Sequence, residues 1–369
     1  MDTRADGPAP RSGDTLTPRR CRAILEGFAY VRVAVAGDLV ADEFIYGQLD
    51  RVSREAPVLI LSYDSTEILP GGAGNAANNV AALGARVSAV GVVGRDVAGT
   101  RLLAALQPRV NVDGVTRVGG YVTPVKTRIL AGGVHSAKQQ VVRIDRSGSA
   151  LAPAMARRVE RALAEIIGQV TVVIISDYGR GLVTPALWAR ALEASGVRQP
   201  PLVLVDSRYA LDGFVGMTAC TPNESEVEAL LGVRIEDNPD VLEQAGRTLL
   251  QRLECQAVLI TRGSRGMALF EPDRPTDHIP IVGSDEVADV TGAGDTVIAT
   301  FALALGAGAS FPEAARLANH AGGIVVMKRG TATVSAAELR EAVEESGRSQ
   351  RAGRRSAGQK GRGHGPARH

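Results

Sequence analysis

The residues best suited to chemistry lie in Asp289-Val-Thr-Gly-Ala-Gly-Asp295, followed by Thr296 and an almost wholly apolar run from Val297 to Leu305. Such a run reads as a buried helix, with Gly292, Ala293 and Gly294 in its first turn. The first N–H groups of a helix have no intrahelical partner and carry the positive end of its dipole, so they attract anions. Small residues there let a ligand approach the backbone. Asp295 falls at the same place, where its carboxylate is expected to stay ionised at neutral pH. An ionised carboxylate beside an anion hole suits transfer of a phosphoryl group to a hydroxyl. The carboxylate takes the hydroxyl proton, and the amides bear the charge that builds on the phosphate. Gly-rich helix starts with a capping acid are common, so spacing alone leaves that simpler reading open.

The surrounding elements alternate between strands and helices. Val31–Ala36, Val87–Val93, Val170–Ile175, Leu202–Asp206 and Val258–Thr261 read as strands. Ala76–Leu83, Pro153–Gly168 and Leu317–Lys328 read as helices. This rhythm predicts an α/β fold with a mostly parallel sheet, whose ligands collect at the carboxyl ends of the strands. Asp38 and Asp42 follow the first strand and either bind hydroxyl groups or cap a loop. Two β-rich stretches, 43–69 and 122–145, interrupt the rhythm. In the second, Lys126 and Arg128 alternate onto one strand face, as a site for an anionic substrate would require or as a protected edge strand would show. Asn223 and Glu226 have the spacing of a helix cap and its reciprocal acid. Gly72-Ala-Gly-Asn-Ala-Ala77 formally fits a dinucleotide fingerprint, with Asp96 about twenty residues on. Pro70 precedes it and the first strand lies far upstream, so a nicotinamide site is set aside.

Asp289–Thr296, together with Pro70-Gly-Gly-Ala-Gly-Asn75, resembles the two signatures of the ribokinase (PfkB-type) carbohydrate kinase family, over roughly Val31 to Val343. The resemblance implies a ribokinase-like fold, with a central mostly parallel sheet, helices on both faces and a small β lid built from residues 43–69 and 122–145. In many members paired lids make a homodimer. It implies Asp295 as catalytic base and Gly292, Ala293 and Gly294 as the anion hole. ATP would lie against Asn223, Glu224, Ser225, Glu226, Thr261, Gly263, Gly266 and Asn319, with His320 as a wall residue. Glu226 would act on Mg²⁺ through water, and a monovalent-cation requirement stays open. The sugar would contact Asp38, Asp42, Gly71, Gly72 and Asn75, with Lys126, Arg128 and Asp145 on the lid side. Ser53–Val58, Gln140–Asp145 and Ser176-Asp-Tyr-Gly-Arg-Gly181 are similar to segments of heptose 7-phosphate kinases, with Arg54 where those usually have Pro and Arg180 where they have Lys. That resemblance implies phosphorylation of O1 of D-glycero-β-D-manno-heptose 7-phosphate to the 1,7-bisphosphate, in ADP-heptose-type biosynthesis. Alternatives are another sugar or sugar-phosphate kinase, acting on fructose 6-phosphate or ribose, and a non-catalytic sugar-binding regulator.

Composition sets the remaining bounds. The chain has 369 residues, 45% of them hydrophobic, enough for a large core. Its three cysteines, Cys21, Cys220 and Cys255, are widely spaced, which fits neither a disulfide framework nor a zinc site and points to a reducing, cytoplasmic setting. No run approaches the ~20 apolar residues of a membrane span, and no apolar signal core begins the chain. The formal charge of +2 hides a split: residues 347–369 carry seven Lys or Arg and no acid, residues 1–22 carry +2, and the body 23–346 carries −7. The ends, 1–22 and 347–369, are expected to be disordered, without nucleic-acid binding, around a kinase domain at 23–346. The chain stops about twenty residues after the last expected helix, so a fused nucleotidyltransferase, present in some relatives, is not expected.

Overall fold

The computed structural model describes residues 16–132, 138–148, 152–282, 289–328 and 330–360, the last twelve of these as backbone only. Its strands are β1 (Arg32–Gly37), β2 (Leu39–Val52), β3 (Leu59–Gly72), β4 (Arg86–Gly94), β5 (Asn111–Val118), β6 (Val125–Gly132), β7 (Gln139–Arg146), β8 (Val172–Asp177), β9 (Leu202–Ser207), β10 (Ala219–Cys220), β11 (Ala257–Thr261), β12 (Met267–Phe270) and β13 (Asp277–Ile279). Its helices are α1 (Pro18–Gly27), α2 (Ala73–Ala82), α3 (Val97–Leu106), α4 (Pro153–Ile167), α5 (Pro185–Ser195), α6 (Glu224–Leu231), α7 (Pro239–Leu253), α8 (Ala293–Gly306), α9 (Phe311–Val325) and α10 (Ala336–Lys360).

Nine strands form the main sheet in the order β13-β12-β11-β10-β9-β8-β1-β4-β5. Pairing is parallel from β10–β11 through β4–β5, and β12 and β13 join antiparallel. The central strands are apolar on both faces, as burial under two helical layers requires. Val33, Val35, Val172, Ile174 and Leu259 enter the core on one face. Ala34, Ala36, Val173, Ile175, Val258 and Ile260 enter the core on the other. Helix α8 lies in the first core and is buried from Asp295 to Leu305, as its unbroken apolar run predicts.

A second sheet, β3-β2-β6-β7, stands off the first. It is the expected lid, with longer strands than its polar pattern suggests. Asp42 therefore lies within β2 rather than in a loop, opposite Leu69 and Lys126. Gly71 and Gly72 end β3 instead of forming a loop. Long-range pairing of β2 with β3 overrides the local turn signals of these glycines.

Helices reach into both ends. Helix α1 begins at Pro18, capped by the Thr17 hydroxyl, and buries Cys21, Ile24 and Leu25 at helical spacing. Helix α10 runs to Lys360, past Glu345 where a glycine-rich sequence suggests a stop. An interior glycine costs a helix only about 1 kcal/mol, too little to force an end. Residues 1–15 and 361–369 of the expected disordered ends lie outside the described residues. Among those described, no helix is long and apolar enough to cross a membrane.

Gly37 lets β1 and β8 pair closely, because a Cβ there would overlap the Ser176 carbonyl. Gly37→Ala should lower stability by about 1–3 kcal/mol, read as a shift of the urea unfolding midpoint.

Candidate functional site

Parallel pairing aligns the carboxyl ends of five strands along one edge of the sheet. Asp38 follows β1, Asp177 ends β8, Asp206 lies near the end of β9, Thr221 follows β10 and Thr261 ends β11. The first turn of α8 meets this edge. Asp177, Tyr178, Asp206, Arg208, Thr221, Asn223, Glu226, Thr261, Val290, Gly292, Gly294 and Asp295 line a cavity of about 350 Å³. It is an open cleft at a strand-end edge, the usual ligand position in such sheets.

Asp295 is 2% exposed. Its Oδ2 accepts from Asn75 Nδ2 at 2.8 Å and its Oδ1 from the Tyr178 hydroxyl at 2.9 Å. Burial pushes its pKa up and these two bonds pull it part of the way back, leaving it at about 6. Full ionisation near neutrality, expected from the helix start alone, is thus moderated by desolvation. Asn75 is itself fixed. Asn79 Nδ2 donates to Asn75 Oδ1 at 3.1 Å, so the Asn75 amide nitrogen faces Asp295. The Thr296 hydroxyl, one residue beyond Asp295, donates to Asn79 Oδ1 at 3.0 Å and closes the network. Gly292, at φ +77°, passes so close that a Cβ would overlap the Asn75 amide.

The expected anion hole needs one correction. The Ala293 N–H donates to the Val290 carbonyl at 3.2 Å, because Val290–Ala293 forms a tight turn, so Ala293 is not free to bind an anion. Gly292, Gly294 and Asp295 N–H groups have no backbone acceptor among the described residues. A Cβ on Gly294 would meet nothing within 4 Å, so this position opens on free space.

On the lid side, Asp42 and Arg128 form a buried ion pair at 2.6 Å, with side chains 6% and 9% exposed. The Arg128 cation is therefore already matched by protein charge, contrary to its expected role as one of two free cations. Lys126 sits 4.8 Å from the centre of the Tyr178 ring, and burial lowers its pKa. Asp145 is tied to Arg143 by two bonds of 2.7 and 2.6 Å at the exposed edge of the lid. The Asp38 Oδ2 accepts the N–H groups of Tyr178 and Arg180, and burial raises its pKa to about 6. That oxygen shapes the Tyr178 turn, because the neighbouring backbone donors reach it first.

The expected nucleotide residues divide. Asn223 and Glu226 form a reciprocal cap at the start of α6 and line the Asp295 cavity, with Thr261 beside them. Burial raises the Glu226 pKa. The Glu224 carboxylate turns instead to Arg262, at 2.6 Å, and to Arg265. Ser225 is exposed and donates to Asn223 Oδ1 at 2.6 Å. Gly263 and Gly266 shape the turn between β11 and β12. Asn319 donates to the Pro280 carbonyl at 2.8 Å and, with His320, lines a separate cavity of about 180 Å³. Neither lines the Asp295 cavity. Asp96 caps α3 and holds Thr123, which leaves no role resembling a dinucleotide ribose ligand.

Asp206 and Arg208 belong to none of the motifs, and Asp177 and Tyr178 appear only within the Ser176–Gly181 segment, with no site role given to them. For Asp206 and Arg208 the only signal was position at the carboxyl end of β9. Asp206 has a pKa pushed well above the carboxylate range, by burial first and then by Glu226 and Asp295.

Residues 34–338 match the pfkB family carbohydrate kinase. The chain is 41% identical over 311 residues to the bifunctional protein HldE of Geobacter sulfurreducens and 43% identical over 317 residues to that of Geobacter metallireducens. These alignments cover 84% and 85% of this chain but 62% and 63% of the relatives, so the chain spans about three fifths of their length. Among solved structures, Arabidopsis thaliana ribokinase with ribose and ATP superposes with a TM-score of 0.63 at 22% identity, covering 85% of this chain and 98% of that one. Phosphofructokinase-2 of Escherichia coli with fructose-6-phosphate gives 0.68 at 20% identity, covering 85% and 99%. The chain belongs to the pfkB family of carbohydrate kinases. It is accordingly a phosphotransferase acting on a sugar hydroxyl, with a ribokinase-like fold.

Removing one member of the lid ion pair leaves a buried charge alone. Arg128→Ala should destabilise by about 3–5 kcal/mol in urea unfolding, and replacing Asp42 and Arg128 together by leucine should cost less.

Proposed function

We propose that the protein is an ATP-dependent kinase of a phosphorylated sugar, with O1 of D-glycero-β-D-manno-heptose 7-phosphate as its acceptor. The observation that carries the phosphotransfer reading is Asp295, a buried carboxylate held by two donors at the start of α8, beside free main-chain N–H groups. Asp295 takes the proton of the attacking hydroxyl. Gly292 and Gly294 N–H groups meet the transferred phosphoryl group and bear its developing charge. The heptose assignment is supported by the identity to the HldE proteins across most of this chain. Lys126, the half-buried lid cation near Asp42 and Asp295, supports an anionic acceptor.

Among the described residues, no group of three His, Cys, Asp or Glu could hold a metal by itself. Mg²⁺ commonly takes one or two carboxylates and completes its shell with phosphates and water. Asp206 and Glu226 fit that need: both line the cavity and each is hard to ionise alone there. When bound, the ion offsets the charge of the ATP phosphates. The lid also supports a homodimer through its exposed apolar residues, among them Tyr63, Val142 and Ile144.

Turnover across heptose 7-phosphate, fructose 6-phosphate and ribose tests the substrate: the first should give the highest kcat/KM, and a preference for ribose would refute the assignment. Asp295→Asn should bind ATP normally and lose about 10²–10⁴ in rate. Because the base works only when ionised, kcat/KM should fall as pH drops below about 6, the pKa of Asp295. Lys126→Ala should raise KM for phosphorylated sugars and spare ribose. Gel filtration should give twice the chain mass, and Ile144→Lys should halve it.

A further inference from the structure

Tyr178 joins features that otherwise lie on separate elements. Its hydroxyl donates to Asp295 Oδ1 at 2.9 Å, and its backbone N–H donates to Asp38 Oδ2 at the same distance. Its ring carries two cations, Lys126 Nζ from the lid at 4.8 Å and the Arg208 guanidinium from beyond β9 at 5.3 Å. Arg208 in turn stands 3.9 Å from Glu226 Oε1. One side chain therefore touches the acid, the lid cation and a cation of the opposite cavity wall. A cation over a tyrosine ring is held by the ring quadrupole, and such contacts strengthen when desolvated. The two oxygens of Asp295 have one fixed donor each, Asn75 and Tyr178, so neither can rotate without losing a bond.

We propose that Tyr178 is a positioning residue of the phosphotransfer site: its hydroxyl orients Asp295 while its ring seats Lys126 and Arg208. The proposal rests on the reading of Asp295 as the group that accepts the hydroxyl proton. Through Tyr178, closure of the lid on an anionic sugar and orientation of the base are parts of one contact. The charged and titratable groups around Asp295 are Tyr178 after β8, Asp206 on β9, Arg208 just beyond it, and Asp42 and Lys126 from the lid. Of these, Tyr178 alone donates a hydrogen bond to the carboxylate.

The test separates the hydroxyl from the ring. Tyr178→Phe keeps the ring and removes one bond to the ionised acid. Carbon NMR of carboxyl-labelled aspartate, with the Asp295 signal assigned by its loss in Asp295→Asn, should show the Asp295 pKa rising by about one unit. The acid limb of kcat/KM should move up equally, with KM for the sugar phosphate within twofold of wild type. Tyr178→Leu removes the ring as well and should raise that KM at least tenfold over Tyr178→Phe. An Asp295 titration in Tyr178→Phe that superimposes on wild type would overturn the orienting role. Equal KM values in Tyr178→Phe and Tyr178→Leu would overturn the seating role. The titration needs no substrate. A wild-type protein that phosphorylates no sugar thus counts against the kinase reading of the site, and an unmoved titration counts against Tyr178.

Discussion

The structure is arranged around a carboxylate taken out of water at the start of a buried helix. Desolvating a charged acid is costly, and here the cost is offset by one donor on each oxygen, Asn75 and Tyr178. Each donor needs support of its own. Asn75 needs Asn79 to hold its amide in the correct sense, and Asn79 needs the Thr296 hydroxyl. Tyr178 needs Asp38 to gather its turn. Gly292 has to be glycine because the Asn75 amide occupies the space that a side chain would fill. The compensation is incomplete and leaves the pKa raised to about 6, which would suit the proton-accepting role proposed for this acid.

The sheet delivers these groups by register. Parallel strands β1, β8, β9, β10 and β11 end together, so residues far apart in sequence face one cleft without long loops. The lid contributes differently. Its buried Asp42–Arg128 pair joins β2 to β6 as a charge-neutral strut, leaving Lys126 as the lid cation turned toward the acid. A matched pair adds little net charge to the cleft, whereas a half-buried lysine adds a great deal. This is the physical basis for expecting an anionic acceptor from one lysine rather than from two cations.

Membership in the pfkB family accounts for the fold and for phosphotransfer to a sugar hydroxyl, but the relatives of similar sequence are longer proteins with more than one function in their name. The solved structures of similar shape include a ribokinase and a phosphofructokinase at about 20% identity. A shared scaffold therefore does not by itself fix the acceptor.

Several features were legible in the residues alone. The apolar run after Asp295 reads as a buried helix, because its nine residues are almost wholly apolar, on every face, and rich in alanine and leucine. The β-branched runs had to be central strands, and the glycines at 292 and 294 had to leave backbone exposed. Asn75 could be singled out only through a family resemblance, since nothing local ties it to an acid 220 positions away. Asp206 and Arg208 carried no local mark, and Tyr178 only a motif without a role; their importance comes from which strands happen to be neighbours. The reverse errors have the same origin. Glu224, Arg128 and Ala293 look available in sequence, but distant contacts give the first two a partner and a local turn gives Ala293 one. Local chemistry thus determined what groups the chain could offer, and three-dimensional pairing decided which of them remained free to act, because a buried polar group is claimed by whatever partner packing brings nearest.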